Sequence, residues 1–215
     1  MSSHDNVDEG ERLEIFGYGS LLWKHDFKFS VKENGYIVGF QRKFWQQNKT
    51  HRGTPEKIEL FTTDGVSTVS IRAPGRVAIL HESHDEDKVW GIKFSVVGST
   101  DVQEAREKLN IRETVLGGYI STYTTFYSET GVQCSVLVFT ATNENDLYVG
   151  PISSNMDEDI EYIAEQVIRS CGFAGTNAEY VIKLADFVRN NFPQENDEHL
   201  FLLDKSVKEK MEENQ

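Results

Sequence analysis

The first two thirds of the chain alternate apolar and polar residues with a period of two, and the last third repeats every three to four. A period of two sends successive side chains to opposite faces of a strand, whereas a three-to-four repeat lays one apolar stripe along a helix. In GYIVGFQRKFW, Tyr36, Val38, Phe40, Arg42 and Phe44 fall on one face of an extended segment. Residues 76–81 and 89–97 read as a further pair of strands, the second placing Trp90, Ile92, Phe94 and Val96 on one side. YISTYTTFY and VQCSVLVFTAT flank Glu129-Thr130-Gly131 and form a hairpin pattern. TDVQEAREKL interrupts the strands with a helix pattern, Thr100 and Gln103 in capping-box spacing and Val102, Ala105 and Leu109 on one face.

In the last third, Ile160, Ile163, Ala164, Val167, Ile168 and Cys171 follow helical spacing, with Gly172 as the stop. Thr176 and Glu179 make a second capping box ahead of Val181, Leu184, Ala185 and Val188, and Pro193 closes that helix. A third helix over residues 197–210 carries Leu200, Leu203 and Val207. Strands followed by helices predict an α+β fold, a mixed, barrel-like β-sheet with flanking helices. Residues 1–13 read as a disordered acidic tail, residues 14–208 as one domain and residues 209–215 as a polar C-terminal tail.

Composition narrows the function. A length of 215 residues suits one sizeable domain, and 13 Phe, 8 Tyr and 3 Trp supply its core. A formal net charge of -13 argues against nucleic acid or an anionic membrane as partner. There is no N-terminal hydrophobic signal and no long uncharged apolar run, so a cytosolic location is expected. Cys134 and Cys171 both lie in apolar-patterned segments and read as buried free thiols rather than a disulfide.

Three stretches carry candidate chemistry. Gly17-Tyr18-Gly19-Ser20 interrupts an apolar run, and glycines belong where backbone turns sharply or approaches a partner. It lacks the following Gly-Lys-Ser/Thr of a phosphate loop and the third glycine of a dinucleotide fingerprint. Its N–H groups can converge on an anion, although alone it is also compatible with an ordinary tight turn. Arg52, in Thr50-His51-Arg52-Gly53, can clamp a carboxylate with its planar fork, or stand in a solvated loop. Glu113 follows Arg112 just after the first helix; in an apolar pocket its pKa would rise and it could shuttle protons, while at the surface it is one more carboxylate. His81 and His84 precede an acidic turn with no ordered ligand spacing, so no metal is expected there.

Ten segments in order extend these readings: FGYGSLLWKHDF (16–27), GYIVGFQRKFWQ (35–46), THRGTP (50–55), PGRVAIL (74–80), VWGIKF (89–94), LNIRE followed by GGY (109–119), YVGP (148–151), IAEQV (163–167), GTNAEYVIKLAD (175–186) and DEHLF (197–201). Together they resemble the ChaC-type, glutathione-specific γ-glutamylcyclotransferase family over almost the whole chain outside the tails. The resemblance implies a lyase that cyclises the γ-glutamyl unit of reduced glutathione, releasing 5-oxoproline and cysteinylglycine, in a mixed β-barrel without metal or cofactor. It implies that Glu113 is the acid/base, that Ile15, Phe16, Gly17, Tyr18, Gly19 and Ser20 bind the γ-glutamyl end, and that Arg52, Tyr127 and Tyr180 contact substrate. Oligomeric state, monomer or homodimer, stays open. Two alternatives also stay open: cyclisation of other γ-glutamyl peptides or amines, and a catalytically silent module that binds a γ-glutamyl ligand.

Two departures from the family pattern stand out. Residues 56–73 are longer than the family's short connection, and Val66, Val69 and Ile71 in them suit an extra strand or a flap over the site. Thr114, Val115 and Leu116 separate Glu113 from Gly117-Gly118, where the family usually has one residue, which puts the position of Glu113 in question.

Overall fold

The computed structural model describes residues 10–55, 57–63 and 66–213. Five strands close a barrel in the order β1 (Arg12–Gly17), β7 (Lys88–Val97), β2 (Val31–Val38), β8 (Ile120–Ser128) and β9 (Gln133–Thr140). All neighbours run antiparallel except β1 and β9, which meet in parallel at Ile15 and Leu137. The sheet is therefore mixed and closed, with helices beside it, as the alternating pattern predicts. The hairpin of β8 and β9 stands as expected, turning through Gly131 at φ 86°.

The segment GYIVGFQRKFW is two strands rather than one. Gly39 adopts φ 81°, a conformation that favours glycine, and its N–H donates to Asp87 O at 2.9 Å. Beyond it the chain leaves the barrel, and β3 (Phe40–Asn48) pairs with β6 (Gly75–Glu82) in a separate two-stranded sheet. The break reverses the phase: Gly35 and Ile37 are buried before it, and Arg42, Phe44, Gln46 and Asn48 after it. The single face proposed for Tyr36 to Phe44 thus holds only for its second half. Residues 76–81 and 89–97 are not partners either, because β7 lies between β1 and β2. Both are strands; pairing between distant segments carries no local sequence signal.

Strands β4 (Lys57–Thr63) and β5 (Val66–Arg72) form their own antiparallel hairpin, so the 56–73 segment adds two strands rather than one. The flap over the site proposed for Val66, Val69 and Ile71 rests on side chains that, like residues 56, 64 and 65, lie outside the described residues.

Helix α1 (Ser99–Leu109) buries Val102, Ala105 and Leu109. Its N-cap is Gly98 at φ 100° with no side-chain cap, so the Thr100–Gln103 box does not form; Gln103 instead donates to Glu107 at 3.0 Å. Helix α2 (Met156–Arg169) is capped by Asn155, whose side chain accepts from Asp157 and Glu158 N–H groups, and buries Ile160, Ile163, Ala164 and Val167. It stops two residues before the expected Cys171. Cys171 and Gly172 form β10, paired with β11 (Gly175–Thr176), which leaves the Cys171 thiol exposed rather than buried. Helix α3 (Asn177–Asn191) starts at Thr176, whose hydroxyl accepts from Glu179 N–H at 3.2 Å, the expected half of a capping box. Helix α4 (Glu198–Glu213) packs on α2, α3 and β3.

Regular structure extends beyond both expected tail boundaries, toward the chain ends. Arg12 and Leu13 already pair in β1, with Leu13 buried, and α4 runs three residues past Lys210, which bridges to Glu161 at 2.7 Å. Residues 1–9 lie outside the described residues.

Candidate active site

Where β1 leaves the barrel, the chain passes through Tyr18 and Gly19 into one 3-10 turn, Ser20–Leu22. Gly17 permits the tight exit: a Cβ there would lie 2.9 Å from Leu21 Cβ and 3.2 Å from the Phe94 ring. The amides of Leu22, Trp23 and Lys24 bond back into the turn, whereas those of Gly19, Ser20 and Leu21 have no acceptor among the described residues. This loop edges a cavity of about 370 Å³, within the usual range for small-molecule sites of about 300–1,000 Å³.

Opposite the loop stands Glu113, in a single π-helical turn, Asn110–Val115, that continues α1. The turn closes through Leu116 N–H on Ile111 O at 3.0 Å, and nested bonds from Gly118 to Thr114 (3.0 Å) and Tyr119 to Glu113 (2.9 Å) end it. Gly118 takes φ 70°, and Gln46 and Asn145 side chains donate to the Gly117 and Gly118 carbonyls. The extra residues after Glu113 are therefore wound into a wide turn that still presents its carboxyl to the cavity. Single π turns are rare and recur at functional sites.

The carboxyl is enclosed, with its side chain 12% exposed. Arg112 Nε comes within 3.0 Å of Oε1 but off the line of its N–H, so this oxygen accepts no hydrogen bond among the described residues. Burial pushes the Glu113 pKa up; Arg112 opposes the rise and Asp26 adds to it. Arg112 also donates to Ser20 Oγ at 2.8 Å and to Lys24 O, tying the carboxyl's turn to the glycine loop.

Three tyrosines surround the same space. Tyr18 Oη donates to Phe139 O at 2.5 Å and Tyr119 Oη to Ala78 O at 2.9 Å. Tyr180 Oη, from α3, accepts from Ala78 N–H at 3.4 Å, which leaves its own proton uncommitted. Burial raises all three, Tyr18 and Tyr119 well above the ordinary value and Tyr180 to about 12. They are neutral hydroxyls at any physiological pH.

Arg52 reaches the cavity from the loop after β3, where Asn48 Oδ1 accepts from its N–H at 2.8 Å. Its guanidinium donates to Thr176 O at 3.0 Å, lies 3.4 Å from Glu179 Oε2 and sits 5.6 Å from the Tyr180 ring centre. His51 lines the mouth, its pKa lowered by burial and then by Arg112, Lys24 and Arg52.

Phe16, Tyr18, Gly19, Ser20, Arg52, Glu113 and Tyr180 thus line one cavity. Ile15 and Gly17 are buried beside it and support the loop. Tyr127 is elsewhere: it stacks on Tyr36 with ring centres 5.4 Å apart and does not line the cavity. Tyr119 was missed by the sequence reading, although it follows the Gly117-Gly118 pair that flags a turn.

Comparison with known proteins supplies the family and the fold. The family model described as ChaC-like protein matches residues 13–210. The glutathione-specific gamma-glutamylcyclotransferase 1 of Danio rerio is 38% identical over 209 residues, covering 96% of this chain and 94% of that protein. Its Homo sapiens counterpart is 39% identical over 197 residues, covering 91% and 78%. The crystal structure of a yeast gamma-glutamyl cyclotransferase specific to glutathione superposes with a TM-score of 0.74 at 25% identity, covering 92% of this chain and 96% of that one. On the match over residues 13–210, this chain belongs to the ChaC-like family.

Proposed function

We propose that this protein is a glutathione-specific γ-glutamylcyclotransferase that converts glutathione to 5-oxoproline and cysteinylglycine. The relatives' names supply the substrate. The observation that carries the mechanism is Glu113, an enclosed carboxyl with a raised pKa and an oxygen left without a hydrogen bond inside the cavity.

The nucleophile is the substrate's own α-amine, so no covalent enzyme intermediate is needed. Holding the amine against the γ-carbonyl makes the attack intramolecular, which lowers the barrier by up to about 7–11 kcal/mol in well-oriented systems. With an ordinary pKa of about 8, the amine arrives largely protonated. Glu113 takes that proton, the nitrogen attacks the γ-carbon, and the carbonyl becomes an oxyanion. When the bond to the cysteinyl nitrogen breaks, Glu113 passes that proton to the departing nitrogen and then relays a second one to it from the ring nitrogen, so the lactam N–H and the leaving ammonium account for all four hydrogens without water. A raised pKa suits both steps.

The free amides of Gly19, Ser20 and Leu21 hold the α-carboxylate, which explains a glycine loop at the end of a strand. The hydroxyl of Tyr180, the tyrosine with a proton to spare, donates to the oxyanion. Arg52 supports that ring and adds positive field.

The test is mass spectrometry of the purified protein incubated with reduced glutathione. Equimolar 5-oxoproline and cysteinylglycine are expected. Recovery of intact glutathione, with turnover of γ-glutamylalanine or γ-glutamyl-lysine instead, would transfer the reading to another γ-glutamyl substrate.

A further inference from the structure

The cavity mouth carries a charge pattern opposite to that of the chain. Against an overall charge of -13, the cavity is lined by four cations, Lys24, Arg52, Lys108 and Arg112, and by two carboxylates, Asp26 and Glu113. Three of the cations already face carboxylates. Arg52 lies 3.4 Å from Glu179, Lys108 2.6 Å from Glu104, and Arg112 3.0 Å from Glu113 and 3.8 Å from Asp26. Lys24 is exposed and has no carboxylate within ion-pair distance among the described residues.

Its placement relative to Glu113 is bridged by one guanidinium. Arg112 meets Glu113 through Nε and the Lys24 backbone carbonyl through Nη1, so the Lys24 backbone is tied to the turn that carries the carboxyl, and Lys24 lines the same cavity. Given the proposed function, on which this inference rests, the γ-carbonyl must sit at Glu113. The peptide beyond it then has two residues, a reach of about 7 Å when extended. That length carries the glycine carboxylate to the mouth. The opposite lip is apolar and aromatic: Phe173 is 71% exposed, with its ring 4.5 Å from that of His51. His51 is kept neutral by burial and by the nearby cations, Lys24 among them.

We propose that Lys24 is a specificity-determining residue that binds the C-terminal carboxylate of the tripeptide, so that the protein reads both ends of its substrate. An unpaired ammonium at the cavity wall favours a peptide ending in a free carboxylate over a γ-glutamyl amine or a capped peptide. Arg112 is excluded from that role because its donors are spent on Ser20, Lys24 O and the Glu113 side.

The experiment compares the full-length native protein, Lys24→Met and Lys24→Gln on two substrates: glutathione, and glutathione whose glycine carboxylate is a primary amide. For a rim ion pair, capping is expected to lower the native kcat/KM by about fivefold, chiefly through KM. Each Lys24 variant is expected to lose about fivefold on glutathione and to treat the two substrates alike within about twofold. The native advantage should shrink with added salt, because exposed charges are screened over about 8–10 Å. Variants that keep the native preference for the free acid overturn the proposal, as does a native protein indifferent to capping. If the native protein consumes neither substrate, the failure lies with the proposed reaction. Calorimetric titration of the native protein with the same two peptides then decides the subsite, equal affinities overturning it.

Discussion

Two buried polar clusters lie on either side of the Tyr18 backbone, and they are built on opposite terms. Behind the loop, the Arg42 side chain is fully buried and gives Nε to Tyr18 O at 3.0 Å, Nη2 to Trp90 O at 2.9 Å and Nη1 to Asp197. Asp197 in turn accepts from Leu200 N–H at 3.0 Å, capping α4, and His199 accepts from Phe44 N–H at 3.1 Å. In front of the loop, Glu113 is largely enclosed and has one oxygen that accepts no hydrogen bond among the described residues. Removing a charge from water without replacing its hydrogen bonds costs several kcal/mol, and a fold keeps such an arrangement where chemistry uses it. The rear cluster holds the loop in place; the front one faces the space where a ligand reacts.

The comparison breaks most sharply with one exchange in each cluster. Glu113→Gln removes the titrating group and keeps the shape, so turnover should fall by about 10²–10⁴-fold while circular dichroism stays native and the melting temperature does not fall. Near-native turnover would leave Glu113 without its assigned role. Asp197→Ala, in the rear cluster, strands the Arg42 charge and uncaps α4. Loss of one partner from a buried pair costs about 3–5 kcal/mol. For a chain of this size that lowers Tm by roughly 10 °C. A melting curve within a degree or two of native would show that the rear cluster is not what holds the loop.

Tyr180→Phe sharpens the front half. It leaves the ring against Trp23 and Phe44 in place (centre distances 5.9 and 6.0 Å) and deletes only the hydroxyl. Loss of one oxyanion donor costs about 10²-fold in kcat, with little effect on KM. A change confined to KM would instead make Tyr180 a ground-state contact.

How much of this was legible in the sequence differs between the clusters for a physical reason. Glu113 and the glycine loop announce themselves locally, the first by following Arg112 at a helix end, the second by putting two glycines where a strand should continue. Helices α2, α3 and α4 were equally local, since i, i+3, i+4 spacing is written within a few turns. The rear cluster joins Arg42 to a residue 155 positions away, and no short window contains it. The same holds for β3 with β6 in their separate sheet and for β7 with β2 in the barrel, whose partners are set by the tertiary fold rather than by their own alternation. Tyr127 misled because a tyrosine on β8 can face either the cavity or Tyr36, and register decides which. The π turn was illegible as well: Asn-Ile-Arg-Glu-Thr-Val has no signature distinguishing it from an α-helical end, and what widens it is the anchorage of the Gly117 and Gly118 carbonyls by Gln46 and Asn145.

The smallest expected effect also separates the clusters most cleanly, because their titrating groups drive stability with pH in opposite directions. His199 is held neutral by burial, its pKa lowered to about 3. Unfolded, a histidine takes up a proton near pH 6.5, so its stabilising contribution is complete above that value and is lost as pH falls from there. Glu113 has a raised pKa and keeps its proton longer in the folded protein than in the unfolded chain. Its contribution is therefore complete below the ordinary carboxylate pKa and is lost as pH rises through the folded value. Gln cannot ionise, so Glu113→Gln should melt higher than native at about pH 8 and converge with it at about pH 4.5. Both proteins should still lose stability on the acid side of pH 6.5, where this histidine takes up a proton in the unfolded chain. A Gln variant that is less stable than native by the same increment at both pH values would mean that the Glu113 carboxylate is satisfied in the folded protein, and the contrast between the two clusters would fail.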